Sequence, residues 1–226
     1  TVTRGIEKVE KPAAAGDKEA RSRLEAYRRA EEALSRGEPI RKSCTDPDEK
    51  EMLSILHLLS AKPVLYVANV DEDAVQQGNG HEHALVEYAR SHSAGCVRIC
   101  GKIESEIAEL PAEEQHEFLQ SAGLEESGLE RLGHEAYALL GLETFFTAGP
   151  KENHAWTIRR GMTAPQAAGQ IHTDFEKGFI RADVYTVEDL QQYKSEAALK
   201  AAGKIRSEGR EYIVKDGDIM FFKFNV

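Results

Sequence analysis

The chain has 226 residues, 41% of them hydrophobic and 30% charged, with a net charge of −10. That length suits one large domain or two small ones, and no apolar run approaches the roughly 18 residues that cross a bilayer. Three cysteines (Cys44, Cys96 and Cys100) are too few for a disulfide framework and point to a reducing cytosol.

The acidity is uneven. Residues 1–60 carry 12 cationic against 12 anionic side chains, 61–152 carry 6 against 17, and 153–226 carry 11 against 10. Either end can approach nucleic acid without general repulsion. The start at Thr1 rather than Met, with no signal peptide, is what a cut or incomplete chain would show.

The first long element is "DKEARSRLEAYRRAEEALSR", residues 17–36. Asp17 is placed to cap it, apolar residues recur at three- and four-residue steps, and Gly37 and Pro39 stop it. "TVTRGIEKVEK" reads as an antiparallel partner with the tip at Pro12–Gly16. Eleven helical residues cover about 16 Å against about 30 Å for twenty. Half of the longer apolar stripe is therefore expected to lack a mate, a second pointer to an N-terminal cut.

"DPDE" at 46–49 predicts a helix start, with Asp46 as cap, Pro47 in the first turn and Glu49 reaching back. That helix is expected to run through Met52, Leu53, Leu56 and Leu59. "PVLYVANVDEDA" (63–74) then reads as a buried parallel strand ending at Asn69. A Gly/Asn break at 78–80, a helix over 81–92 and a strand over 96–100 follow, the unit of an α/β sheet with a right-handed crossover. Helices are expected near 111–121 and 127–140, with Gly141 ending the second.

Beyond residue 142 the period changes. "TFFTAG" and "HAWTIRR" alternate as strands, and "TAPQAAGQIHTDF" opens a helix with Thr163 as cap and Pro165 in its first turn. "FIRADVYT" is a third strand, and "REYIVKDGDIMFFKFNV" a hairpin turning at Asp216-Gly217. Such an order is that of an α+β, ubiquitin-like β-grasp domain.

Ligands of open α/β sheets lie beyond the carboxyl ends of the strands. The opening strand ends in Asn69-Val70-Asp71-Glu72, where guanine-specific hydrolases have Asn-Lys-x-Asp. The lysine is absent and the last residue is Glu. Adenine presents an amino donor beside a ring acceptor, which a longer carboxylate and a neighbouring backbone N–H can meet. A plain polar loop is the competing reading. One strand later, Cys100-Gly101-Lys102 stands where such hydrolases place a Ser-Ala-Lys base-cradling loop.

Other candidates have simpler readings. His81 and His83 point to different helix faces, and with His92 they read as solvated histidines. Cys96 and Cys100 read as core thiols, and His172 as a cap before Asp174. The acidic run Glu104, Glu106, Glu109, Glu113, Glu114 and Glu117 reads as a solvated face, and Trp156 and Phe222 as core. Arg21, Arg28, Arg29, Arg159, Arg160, Lys204, Arg206 and Arg210 are either solvated or in contact with RNA phosphates.

The run "AWTIRRGMTAPQAAGQIHTDFEKGFIRADVYTVEDL" together with "YIVKDGDIMFFKFNV" closely resembles the TGS domain of the YchF / Obg-like ATPase family. "PVLYVANVDE", "GKIESEIAEL" and "GLEESGLERL" resemble the same family's nucleotide-binding domain, and 1–45 its helical-hairpin arm. This resemblance covers essentially the whole chain. It implies a partial P-loop NTPase sheet of α/β class with a helical (coiled-coil) arm and a β-grasp TGS domain, divided as 1–45, 46–141 and 142–226. It also implies ATP hydrolysis with Mg2+ and association with ribosomes or ribosomal RNA, rather than with a membrane or duplex DNA. By the family pattern, Asn69, the Val70 backbone and Glu72 read adenine, with Gly101 and Lys102 flanking it. In that family the phosphate loop and both switches precede the arm. No Gly-x-x-x-x-Gly-Lys-[Ser/Thr] occurs in this chain, so neither a catalytic residue nor a Mg2+ ligand is assigned. A non-catalytic RNA- or protein-binding adaptor built on arm and TGS domain is the alternative.

Overall fold

A computed structural model describes residues 1–149 and 152–225 and divides into two compact units, Thr1–Glu135 and Ala136–Val226. Pro150, Lys151 and Val226, which belong to the segment expected as a TGS domain, lie outside the described residues. Among those described, no helix is long and apolar enough to cross a membrane.

The first unit opens with an antiparallel helix pair, α1 (Val2–Ala14) and α2 (Lys18–Ser35). Asp17 caps α2 as expected, accepting the N–H groups of Glu19 and Ala20 at 2.9 and 3.1 Å. Pro12 lies inside α1 rather than at the tip. Having no N–H, it leaves the carbonyl four residues back without its helical donor. The expected unmated half of the α2 stripe is not seen. Ala26, Tyr27, Ala30 and Ala33 are buried with Val2, Ile40, Cys44 and Leu53, because the chain folds back after Pro39. The short α3 (Ile40–Ser43) supplies Ile40, Cys44 follows as its C-cap, and α4 (Pro47–Ser54) supplies Leu53.

Asp46 caps α4 through the Glu49 N–H. Glu49 itself does not reach back; its carboxylate takes Arg29 of α2 at 2.8 Å. The helix also stops at Ser54, short of Leu59, which instead begins a single 3-10 turn. Then β1 (Leu65–Asn69), α5 (Gly80–Ser91) and β2 (Gly95–Ile99) form a strand–helix–strand unit with the strands parallel. α6 (Gly101–Glu109), α7 (Ala112–Ser121) and α8 (Gly128–Leu140) follow, α8 running across the division between units. Glu104, expected on a solvated face, is buried. Its two carboxylate oxygens accept the Gly128 and Leu129 N–H groups at 2.7 and 3.2 Å, a favourable place for a negative charge at a helix start.

The second unit is a five-stranded mixed sheet in the order β4-β3-β7-β5-β6. Its strands are β3 (Leu142–Ala148), β4 (Asn153–Arg159), β5 (Phe179–Thr186), β6 (Arg206–Glu208) and β7 (Asp218–Phe224). Helix α9 (Ala164–Ile171) begins with a Thr163–Gln166 capping box. Its fully buried Ala164, Ala167 and Ala168 let the helix come close to Phe145, Ile158, Val184 and Phe222 on the sheet. α10 (Thr173–Lys177) is capped by His172, whose Nδ1 accepts the Asp174 N–H. α11 (Val187–Tyr193) and α12 (Glu196–Ala201), which periodicity does not single out, bury Leu199 beside Tyr185 and Ile219.

The expected C-terminal hairpin does not form. The turn at Asp216-Gly217 is present, with Gly217 at φ +80°, but the residues before it pair elsewhere. Ala164 N–H donates to the Tyr212 carbonyl at 2.8 Å and Val214 N–H to the Met162 carbonyl at 3.0 Å. β7 pairs instead with β5 and β3.

The turn is held from inside by Asp218, which is 1% exposed. It accepts the Tyr212 hydroxyl at 2.7 Å, the Lys215 N–H at 2.9 Å and Arg206 Nη2 at 3.3 Å. Asp218→Ala is expected to destabilise this unit by about 1–3 kcal/mol, because it leaves the Tyr212 hydroxyl and the Lys215 N–H without their acceptor, while Arg206 keeps Glu208; urea unfolding of the chain measures it. Burial, and then the Asp218 hydrogen bond, push the Tyr212 phenol up to about 12. A folded-state value above the unfolded one, about 10, stabilises the neutral form. The contribution is therefore complete below pH 10 and lost as pH rises toward 12. The stability difference between the parent and Tyr212→Phe is expected to shrink across that window, and a difference independent of pH would contradict it.

Candidate functional site

Parallel pairing sets β1 and β2 level: Leu65 stands opposite Gly95, and Asn69 opposite Ile99. Both strands thus end at the same edge, where open α/β sheets bind their ligands. After β1 come Val70, Asp71 and a 3-10 turn, Glu72–Ala74. After β2, Cys100 is the N-cap of α6, which begins at Gly101.

Two polar contacts join these segments. Asn69 Oδ1 accepts the Gly101 N–H at 3.0 Å. That N–H is one of the donors a helix cannot satisfy internally, so Asn69 caps α6 from the neighbouring strand. Lys102 Nζ lies 2.8 Å from Glu72 Oε1, with both side chains well exposed. The Glu72 carboxylate, by hydrogen bond and charge, holds the Lys102 ammonium above the ordinary lysine range.

Asn69, Glu72, Gly101 and Lys102 are therefore brought together. Val70 differs. Its N–H donates to the Ile99 carbonyl at 2.9 Å, so the N–H that was to meet adenine is already used in extending the ladder. Its carbonyl is the group it can offer a base. The Val70 side chain is buried with Ala68 and Ala74 against Leu85 and Cys96, so a lysine there would enter an apolar cluster.

A Cβ at Gly101 would lie 3.4 Å from Asn69 Oδ1, an ordinary contact, so an alanine fits at that position. Cys100 is 2% exposed and packs with Ile103, Ile107 and Leu119. It makes no side-chain cap bond. On its other side Glu72 lines a groove of about 530 Å³ with Asp73, Gln76, Ile103, Glu106 and Phe118.

An exposed carboxylate, an ammonium and a backbone carbonyl at one edge can meet the amino group and face of a planar heterocycle. Among the described residues, no group of three or more His, Cys, Asp or Glu is placed to hold a metal ion. His83 Nε2 lies 3.2 Å from the Gln77 carbonyl. Of the basic residues considered for RNA, Arg28, Arg29 and Arg160 are paired with Glu10, Glu49 and Glu143. Arg206 belongs to the Asp218 cluster, Lys204 pairs with Asp189, and Arg210 donates to the Phe179 carbonyl. No described ion pair involves Arg21 or Arg159. Sequence reasoning missed the pair of a partly buried Arg98 with a buried Glu82 beneath the loop that carries Glu72. No local pattern announces two charges 16 residues apart.

Residues 142–225 match the family model YchF-GTPase_C, described as a protein of unknown function (DUF933). Over its whole length the chain is 46% identical to the "Ribosome-binding ATPase YchF" of Bacillus subtilis, spanning 62% of that protein. It is 42% identical to the "Obg-like ATPase 1" of Gallus gallus over 99% of the chain and 58% of that protein. Its fold is similar to the structure of the Schizosaccharomyces pombe YchF GTPase, with a TM-score of 0.82 and 32% identity, over 98% of this chain and 61% of that one. The chain thus spans less than two thirds of these relatives.

Asn69→Ala is expected to cost about 1 kcal/mol, the net worth of one hydrogen bond, in urea unfolding. Glu72→Gln is expected to bring the Lys102 ammonium back down toward the ordinary lysine value when its Nζ is titrated by NMR. An unmoved Lys102 would mean that the ion pair does not form in solution.

Proposed function

Because the chain belongs to the YchF / Obg-like ATPase family, we propose that it carries the base-reading segment of a ribosome-associated, adenine-nucleotide-binding P-loop ATPase. The observation that carries this reading is the meeting of Asn69 and Glu72 with Gly101 and Lys102 at the shared ends of two parallel strands. In it, residues 1–45 are a helical arm, 46–141 a portion of the nucleotide-binding domain, and 142–226 a TGS domain.

Base choice follows from acceptor geometry. Glu72 and the Val70 carbonyl both accept hydrogen bonds, and adenine supplies an amino donor. Guanine turns a carbonyl acceptor toward the same edge, where it would meet two acceptors and no donor. Binding requires Lys102 to leave Glu72. Because that ion pair is exposed and screened, it opens at little cost, and the freed ammonium can then lie over the ring. When bound, ATP brings the phosphates and its Mg2+ the charge that offsets them; hydrolysis is positioning and charge stabilisation at the phosphates. The residues of this chain bind and orient the base, and no catalytic role is assigned to them.

The test is an NMR titration of the chain with ATP and GTP, following the amides of 69–72 and 101–102. Base-edge recognition is worth about 1–3 kcal/mol, so ATP is expected to bind roughly 5- to 100-fold more tightly. Glu72→Ala is expected to equalise the two. Equal affinities in the parent would refute adenine reading.

Ribosome association is tested by co-sedimentation. Arg159 is exposed and in no described ion pair, so Arg159→Glu is expected to lower it, whereas Arg131→Glu, which loses only a contact with Glu126, is not. Binding is expected to weaken with salt by a log–log slope of about −0.7 to −0.9 per phosphate contact. Salt-independent binding would contradict an RNA-facing role.

A further inference from the structure

Glu72 meets a base only if the segment after it keeps its path, and that segment has little apolar anchorage. Of residues 71–78 only Ala74 is buried, with Val75 partly so. Polar groups hold it instead. Arg98, which points from β2 under the loop, donates through Nη1 to the Gln76 carbonyl at 2.8 Å and the Val75 carbonyl at 3.3 Å. Through Nη2 it donates to Glu82 Oε1 at 2.9 Å. Glu82 lies in the first turn of α5 and is 6% exposed, and its own N–H is capped by Asn79.

The loop closes tightly over this pair. Gly78 has φ +77°, and a Cβ there would come within 2.4 Å of Glu82 Oε2 and 2.8 Å of Arg98 Nη2. A planar guanidinium with five donors can hold two carbonyls and a carboxylate at once. The single ammonium of lysine is a point charge and does not match that fork.

The pair is poorly suited to adding stability. Buried ion pairs seldom outperform apolar packing, and Glu82 Oε2 and Arg98 Nε have no hydrogen-bond partner. What the pair does fix is geometry. Arg98 is three residues before Gly101, in the strand that delivers Lys102 and whose Ile99 carbonyl binds the Val70 N–H. Both base-facing segments are therefore indexed to one strand, and Arg98 is the side chain that joins β2 to the loop after Glu72.

We infer that Arg98 is a positioning residue for base recognition, setting the place of Glu72 by clamping residues 75–78; this rests on the adenine-reading assignment of Asn69–Glu72. Two variants of the full chain test it. Arg98→Lys keeps the charge balance and removes the fork. The double variant Arg98→Met, Glu82→Met leaves neither charge unpaired and keeps the test open if the first does not fold. Hydrogen exchange of the 71–78 amides and the ATP-over-GTP affinity ratio are measured on whichever variants show a cooperative unfolding transition.

Exchange over 71–78 is expected to accelerate while α5 and β2 stay protected, and the affinity ratio to fall by roughly tenfold. Neither variant is expected to restore the ratio, because Arg98→Lys keeps the charge without the fork and the double variant keeps the packing without either charge. Unchanged exchange at 71–78 overturns the clamp. Faster exchange with an unchanged ratio overturns the positioning role. A parent chain with no preference for ATP overturns the adenine reading itself, and the exchange data then still decide whether Arg98 holds the loop.

Discussion

The pairing of Val70 N–H with the Ile99 carbonyl, one residue past the end of β1, is the contact on which the site depends. It carries the parallel ladder to the last residue before the chain turns away, so both strands stop level. Asn69 can then reach the start of α6, and Glu72 can reach Lys102. If the register shifted by one residue, the side chains of β1 would change faces. Asn69 would point away from Gly101, and Val70 would leave its apolar cluster. The same contact uses the Val70 donor, and among the described residues no hydrogen bond reaches its carbonyl. Arg98 adds the second constraint, because it fixes the path of the chain beyond Glu72. The two segments that carry Glu72 and Lys102 are thereby held at one strand edge.

The second unit is held together by a different device. A compact sheet covered by an alanine-faced helix buries Phe145, Ile158 and Val184, and one buried carboxylate, Asp218, organises the turn into β7. Its network is fully partnered, unlike the Glu82–Arg98 pair with two orphaned atoms. That contrast fits a carboxylate that stabilises a turn and an ion pair that holds a loop in place.

What the sequence made legible was largely local. Asp17 and Asp46 cap helices by accepting backbone N–H groups within three residues, and Gln166 reaches back three residues to the Thr163 N–H; such bonds leave a mark in the residue order. The alternation of β3 and β4 is legible because side chains two apart share one face of a sheet. The C-terminal hairpin was misread because residues 212–214 found partners at 162–164, more than forty positions away. Glu49 pairs with Arg29, twenty residues away, rather than with the cap. Glu104 looked solvated until α8 brought its first N–H groups to it. That Asn69 and Glu72 lie beside Gly101 and Lys102 is legible because both segments follow strand ends. Arg98 and Glu82 carried no such pattern, since their pairing exists only after β2 and α5 pack.

The most direct test of the central claim is a crystal structure of this chain with ATP bound. The account predicts the adenine amino group within hydrogen-bond distance of the Glu72 carboxylate and the Val70 carbonyl, with Lys102 moved off Glu72 and over the ring. A nucleotide seated elsewhere, with Lys102 still paired to Glu72, would contradict it.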